Sequence, residues 1–343
     1  MIKPPVLRKG DTIALVAPSG GLAALFPHRL DVAKKFLESE GFIVKEYPTT
    51  RGFLNGSAGT PEDRARDLTD AFVDPSVKAI ICTIGGLSSN ELLPLLDFEV
   101  IKKNPTIFCG YSDITVLHRA IQKKTGLITF YGLAAMTQLG ENPEPLKFTW
   151  ENFKKAVMST QPLLDIPVSH QWTDELLDWS QKKDLERARN LQQNTGWEWL
   201  RGGKASGVIV GGCLPSILRI AGTEYDSEYD GTILFIETPE GQDFSKGEPL
   251  GYVDSDIMHL RTMGVFDVIK GLIVGRPFGY TQEEHKEFKS LILKHTEKYT
   301  FPVLYGVDVG HSDPQLTIPL GVKVTLDSDT NKFSIDEAGT TQK

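Results

Sequence analysis

Short runs that are apolar at every position alternate, over the first third of the chain, with longer stretches in which apolar residues return every three or four places. DTIALVAPSG reads as a strand ending in a turn, and HRLDVAKKFLESEGF as a helix stopped by Gly41. IVKEYP is a second strand. TPEDRARDLTDAFVDP has the signals of a helix start: Thr60 as N-cap, Pro61 at the first helical position and acidic residues in the first turn. Strand VKAIICTI, turn GGLSS, helix NELLPLLDFEVIKKN, strand TIFCGYS and helix DITVLHRAIQKKTG follow in order. Strands apolar on both faces belong to parallel sheets covered by helices, so the pattern predicts a layered α/β domain with a parallel sheet.

The pattern lapses from about Trp150 to Gly203. That stretch is polar and charged, yet Trp172, Trp179, Trp197 and Trp199, four of the chain's five tryptophans, fall within it. Two readings stand: a linker whose indoles pack on neighbouring elements, or a segment that contributes to a binding surface. Beyond it, KASGVIVGGCLPSILRIAGT, GTILFIETPE, a helix near DSDIMHLRTMGVFD and strand KGLIVGRPF predict a second α/β domain. VLYGVDVGH and QLTIPLGVKVTLDSDTNKFSID read as strands, the last pair forming a hairpin around Asp329 to Asn331. The expected organisation is therefore an N-terminal α/β domain over 1–165, a Trp-rich connector over 166–203 and a C-terminal α/β domain over 204–343, with neither repeats nor low-complexity segments.

Composition narrows the function. At 343 residues and 40% hydrophobic content the chain can bury a large core. A formal net charge of -8 and the lack of any basic block argue against a nucleic-acid partner. The apolar run Thr12 to Ala17 is too short for a signal peptide or a membrane span, which predicts a cytoplasmic protein without membrane association. Cys82, Cys109 and Cys213 are odd in number and show no CxxC spacing, so they read as buried reduced thiols. Metal-ligand spacings, a Walker loop and GxGxxG are all missing from the sequence, and the expected chemistry uses side chains with no metal and no cofactor.

Four places have residues suited to such chemistry. Ser112 follows the apolar strand Ile107 to Cys109 in Gly110-Tyr111-Ser112-Asp113, immediately before a helix. A serine on that turn holds its hydroxyl out at the sheet edge beside helix N–H groups. Ile114 replaces the second glycine of G-x-S-x-G, and taken alone Ser112 or Asp113 is better read as a helix cap. Gly85-Gly86 end another strand, where a ligand can approach the backbone: a tight turn, an anion loop or, at Gly86 N–H, an oxyanion donor. Glu237 closes the apolar strand GTILFIE at the edge where ligands gather in α/β sheets; a structural salt bridge is the alternative. His311 sits in GVDVGHSDP, a constrained loop that suits a general base. Of the other histidines, His118 is expected to face a neighbouring element, and His28, His285 and His295 to lie on helix surfaces.

Taken together, VLRKGDTIALVAPSG, FLNGSAGTPEDRARDL, ICTIGG, IFCGYSDITVLHRAI, GLITFYG, GGCLPSIL, LFIETPE and GHSDPQLTIPLG resemble, in order and over nearly the whole chain, the LD-carboxypeptidase family of serine peptidases. The resemblance implies two domains with the active site between them and a homodimer. It implies Ser112 as nucleophile, His311 as base, Glu237 as the group orienting it, and Gly86 and Asp113 as oxyanion donors. The Trp-rich connector and LFIETPE are more similar to the microcin C self-immunity branch, whose members cleave aminoacyl sulfamoyl adenylates with an aromatic side chain stacked on the adenine. Trp179 is the candidate for that stack by neighbourhood, with Gly85 beside the nucleophile as a substrate contact. Lys246 is a candidate for a phosphate or carboxylate, against a simple solvated lysine.

Three functions follow as expectations. The first is a hydrolase of peptidyl or aminoacyl nucleotides conferring immunity or detoxification. The second is a murein tetrapeptide carboxypeptidase of cell-wall recycling. The third, of another class, is a non-catalytic protein that binds a nucleotide or peptide.

Overall fold

Two sheets, each with helices on its outer side, organise the chain. In the computed structural model, which describes residues 1–342, strands β1 (Thr12–Val16), β2 (Ile43–Glu46), β3 (Val77–Cys82), β4 (Ile107–Gly110) and β5 (Thr129–Tyr131) run parallel in the order β5-β4-β3-β1-β2. The connector holds a two-residue ladder of β6 (Gln171–Trp172) and β7 (Gln192–Gln193), then β8 (Glu198–Arg201). In the second sheet β9 (Lys204–Cys213), β10 (Ile233–Glu237), β11 (Gly271–Gly275) and β12 (Val303–Val307) are parallel neighbours. Strand β8 adds to β12 antiparallel at one edge. Two segments then tie the sheets together: β13 (Ile318–Leu320) pairs antiparallel with β5 in the first sheet, while β14 (Lys323–Asp327) and β15 (Lys332–Ile335) extend the second. The fold is a two-domain α/β architecture whose N-terminal sheet is parallel apart from β13.

Side chains that point to alternate faces of a strand enter different cores. Ala14 and Val16 pack under the outer helices of the first sheet, whereas Ile13 and Leu15 enter a core shared with Ile209, Phe235, Ile273 and Leu304 of the second. One continuous hydrophobic core therefore joins the two sheets, and it also takes in Leu30, Ala33 and Leu37 of the helix Pro27–Ser39 and Phe153 of the helix Lys147–Val157. At the free edge, β2 is only partly covered and carries Lys45 and Glu46, charges that discourage pairing with another chain.

Local signals set the helix bounds. The expected Thr60 cap forms, its side chain accepting from Asp63 N–H at 3.1 Å ahead of the helix Pro61–Val73. By contrast, the single helix expected over NELLPLLDFEVIKKN is two pieces, a 3₁₀ turn Ser89–Leu92 and a helix Phe98–Lys103. Pro94 lacks the N–H that a continuous helix needs, and Asp97 starts the second piece by accepting from Glu99 and Val100 N–H. All three cysteines are buried free thiols, as composition predicts.

The connector is held down along its length. Arg189 bridges Glu141 and Asp313 at 2.7 Å each, and Asp184 meets Arg29 at 3.1 Å. Each of its indoles has a partner within the protein. Trp172 lies under the Arg276 guanidinium at 4.8 Å and Trp179 under that of Arg29 at 4.6 Å. Trp197 Nε1–H donates to Asp308, and Trp199 Nε1–H to Asn331 at 2.8 Å. Cation–π and hydrogen-bonded anchoring explains why a polar segment has so many indoles.

Candidate active site

Strand β4 ends at Gly110, Tyr111 stays extended, and Ser112 turns into the left-handed region with φ of 64° before the chain enters a 3₁₀ turn and the helix Thr115–Thr125. A non-glycine residue there costs about 1–3 kcal/mol and persists only when its surroundings enforce it. They do so from several directions. Tyr131 Oη accepts Ser112 N–H at 3.1 Å, and His118 Nε2 reaches the Gly110 carbonyl at 2.9 Å. Burial lowers the His118 pKa to about 4, so the imidazole is neutral and donates that bond. The helix-cap reading of Ser112 and Asp113 is corrected here, because neither side chain caps the helix. Instead the buried Asp113 carboxylate accepts from Ser19 Oγ at 2.6 Å and Ser89 N–H at 2.9 Å, and pairs with Arg219 at 2.7 Å.

Glu237, fully buried at the end of β10, receives two bonds. Tyr131 O–H donates to its Oε1 at 2.6 Å, and His311 Nδ1 lies 2.7 Å from its Oε2. A Cβ on Gly310, whose φ is 113°, would stand 2.7 Å from Glu237 Oε2, so only glycine lets the His311 loop come this close. The other ring nitrogen of His311 is 3.5 Å from Glu240 Oε2, and the ring packs against Tyr111 with centroids 5.0 Å apart. Burial works against the imidazolium, but Glu237 and then Glu240 outweigh it and raise the His311 pKa to about 9. Since that exceeds the ordinary 6.5, the stabilisation from this pairing is complete below about pH 6.5 and fades as pH rises through about 9. A continuous path thus runs from His311 through Glu237 and Tyr131 to the backbone of Ser112.

Gly85 forms the wall beside the serine: a Cβ there would lie 2.8 Å from Ser112 Oγ and 3.3 Å from Asp113 N. Gly86 is exposed next to it with φ of 147°. Of the remaining sequence candidates, Trp179 is half-buried, with Arg29 over its ring and Phe26 against its edge. Lys246 lies on the small hairpin closed by Glu240 and Gly247, with its side chain 76% exposed and Asp243 its nearest acid at 3.9 Å. The strongest charges on His311 are Glu237, Glu240 and Asp313, and Lys246 is not among them.

The histidines expected on helix surfaces are instead engaged. His295 is buried and bonded to Asp254, His285 meets Tyr305 Oη at 2.7 Å, and His28 meets Asp184 at 3.1 Å. Each sits on a helix face turned toward a polar partner supplied by another part of the chain.

Three participants escaped the sequence reading. Tyr131 carried the same signal as Glu237, a polar group at the end of a buried strand. Arg219 and Glu240 carried no local signal, because their partners, Asp113 and His311, are far away in sequence.

Fold and site together define a two-domain α/β protein whose polar groups converge where strand ends of both sheets meet. Residues 13–132 match the LD-carboxypeptidase N-terminal domain and residues 206–326 the LD-carboxypeptidase C-terminal domain. The chain belongs to the LD-carboxypeptidase family of serine peptidases. It is 34% identical to a putative carboxypeptidase of Vibrio cholerae, over 98% of both chains. To the microcin C7 self-immunity protein MccF of Escherichia coli it is 32% identical, over 96% of this chain and 94% of that one. A solved structure of MccF in complex with aspartyl sulfamoyl adenosine matches with a TM-score of 0.91 at 32% identity, covering 99% of this chain and 100% of that chain. A probable murein peptide carboxypeptidase of Bacillus subtilis is 31% identical, over 99% of this chain and 96% of that one.

Proposed function

We propose that the chain is a carboxypeptidase-type serine hydrolase that cleaves the amide bond of peptidyl or aminoacyl nucleotides, giving immunity or detoxification. The observation that carries this reading is the buried His311–Glu237 pair at 2.7 Å, joined through Tyr131 to the backbone of a serine held in a strained elbow. In the proposed cycle Ser112 Oγ attacks the scissile carbonyl and gives its proton to His311 Nε2, while Glu237 holds Nδ1–H. The N–H groups of Gly86 and Asp113 receive the developing oxyanion. The leaving amine takes the proton from His311, and water, deprotonated by the same imidazole, releases the acyl group.

Support for the nucleotide comes from the likeness to MccF and its aspartyl sulfamoyl adenosine complex. An adenine would stack on the face of Trp179 opposite Arg29, with Gly85 against the reacting carbonyl and Lys246 at the outer edge. The murein relative favours a second reading, in which the same groups remove the terminal residue of a murein tetrapeptide. Side-by-side assays of the purified protein on glutamyl or aspartyl sulfamoyl adenosine and on L-Ala-D-Glu-meso-DAP-D-Ala separate the two. Hydrolysis of the tetrapeptide alone would replace the nucleotide reading, and failure of a serine-reactive phosphonate to label Ser112 would leave a non-catalytic binder. The family likeness also leads us to propose a cytoplasmic homodimer, which light scattering and cell fractionation would check.

The His311 environment sets the pH dependence. A base must be neutral, so kcat/KM of the free enzyme is expected to climb with pH until about 9. Glu240→Gln removes one of the charges that raise this value and should move the limb to lower pH. Identical limbs in the two proteins would show that Glu240 does not act on the base.

A further inference from the structure

The second domain reaches the serine turn at two points. Cys213 N–H, at the end of β9, donates to Thr115 Oγ1 at 3.0 Å. A Cβ on the preceding Gly212 would stand 2.5 Å from the same hydroxyl, so this strand end sits as near the helix start as bare backbone allows. Six residues later, just past the helix Leu214–Leu218, Arg219 places Nη1 2.7 Å from Asp113 Oδ1 and 3.2 Å from Ser216 Oγ. The Asp113 carboxylate is thus the meeting point of three chain segments. Its other oxygen takes the Ser19 and Ser89 donors, and its carbonyl accepts Ser89 Oγ at 2.7 Å.

A fully buried carboxylate is tolerable only while its partners hold it, and of these Arg219 alone has a full opposite charge. Asp113 follows directly on the strained Ser112, and a Cβ on Gly85 would stand 3.3 Å from its backbone nitrogen. Whatever fixes the carboxylate therefore fixes the direction of the Asp113 N–H and the elbow before it. Because the Arg219 charge comes from the opposite domain, the Asp113 carboxylate is neutralised only while the two domains are seated on each other, whereas its Ser19 and Ser89 donors come from its own domain.

We infer that Arg219 is a positioning residue, which acts through the Asp113 carboxylate to set the Ser112–Asp113 turn and so makes the nucleophile's geometry depend on the domain seam. The inference rests on the proposed role of Ser112. It is tested on the full chain with Arg219→Ala and Arg219→Lys, reading the rate of labelling by a serine-reactive phosphonate, kcat and KM on an aminoacyl sulfamoyl adenosine, and thermal melting.

Arg219→Ala should slow labelling and lower kcat by about 10- to 100-fold, below the loss of a whole oxyanion donor, with little change in KM. Arg219→Lys should recover part of the rate. The Arg219 side chain is 29% exposed, so guanidinium ion, well below denaturing concentrations, should enter the alanine variant and raise its rate without helping wild type. Wild-type labelling in Arg219→Ala would overturn the inference. So would a change in KM alone, which makes Arg219 a substrate contact, or a lowered melting temperature with slower labelling that neither lysine nor guanidinium relieves. Failure of the wild-type protein to label is a separate result, since it removes Ser112 as nucleophile and this inference with it.

Discussion

Ser112→Ala is expected to lower kcat by on the order of 10⁴–10⁶ while leaving the affinity for a non-hydrolysable substrate analogue nearly unchanged. The hydroxyl is the only group lost. The elbow is held by Tyr131 on Ser112 N–H, His118 on Gly110 and the ties on Asp113, none of which uses Ser112 Oγ. Single-turnover kinetics beside calorimetric titration of the analogue separates the two quantities. A variant that still hydrolyses at the wild-type rate would remove Ser112 from the mechanism.

Ser112→Gly carries the argument to stability. Alanine keeps the strain of a side chain at φ of 64°, whereas glycine enters that region freely. Releasing a strain of about 1–3 kcal/mol, less the extra unfolded-state entropy of glycine, should leave Ser112→Gly inactive and more stable than Ser112→Ala by about 1 kcal/mol. Chemical denaturation of the two variants measures the difference directly. Equal stability would mean that the elbow stores no strain.

Much of the scaffold was legible because the rules that set it are local. Apolar runs of strand length, Thr60 before Pro61 and the turn ahead of Ser112 each act over a few residues, and the structure has a strand, a cap and an elbow at those places. Pro94 was equally visible and shows how one missing N–H outweighs a helical pattern around it. The likeness to a known family then implied a shared site for Ser112, Glu237 and His311, which no local rule could do; the structure pairs His311 with Glu237. What stayed out of reach depends on tertiary placement. The cations over Trp172 and Trp179 come from Arg276 and Arg29, far along the chain. Arg219 likewise looks like any helix-end arginine until the domains close and set it against Asp113.

Glu237→Gln should be nearly as damaging as loss of the serine, and its pH profile identifies the reason. The carboxylate can only accept, so it requires a proton on His311 Nδ1 and leaves Nε2 as the base. A glutamine fits the same buried space but has one acceptor and one donor end. Tyr131 O–H already claims an acceptor at 2.6 Å, which turns the amide –NH₂ toward Nδ1 and favours the tautomer with its proton on Nε2, the wrong nitrogen. The same change removes the charge that does most to raise the His311 pKa, so the rising limb must move to lower pH. If the neutral fraction of the imidazole alone governed the rate, its increase at pH 7 would speed the variant. The expected result is a limb shifted down in pH together with a plateau reduced about 10³- to 10⁴-fold, the scale of comparable amide substitutions in serine proteases. A shifted limb with an undiminished plateau would show that Glu237 serves only to hold charge, and that the tautomer of His311 is set elsewhere.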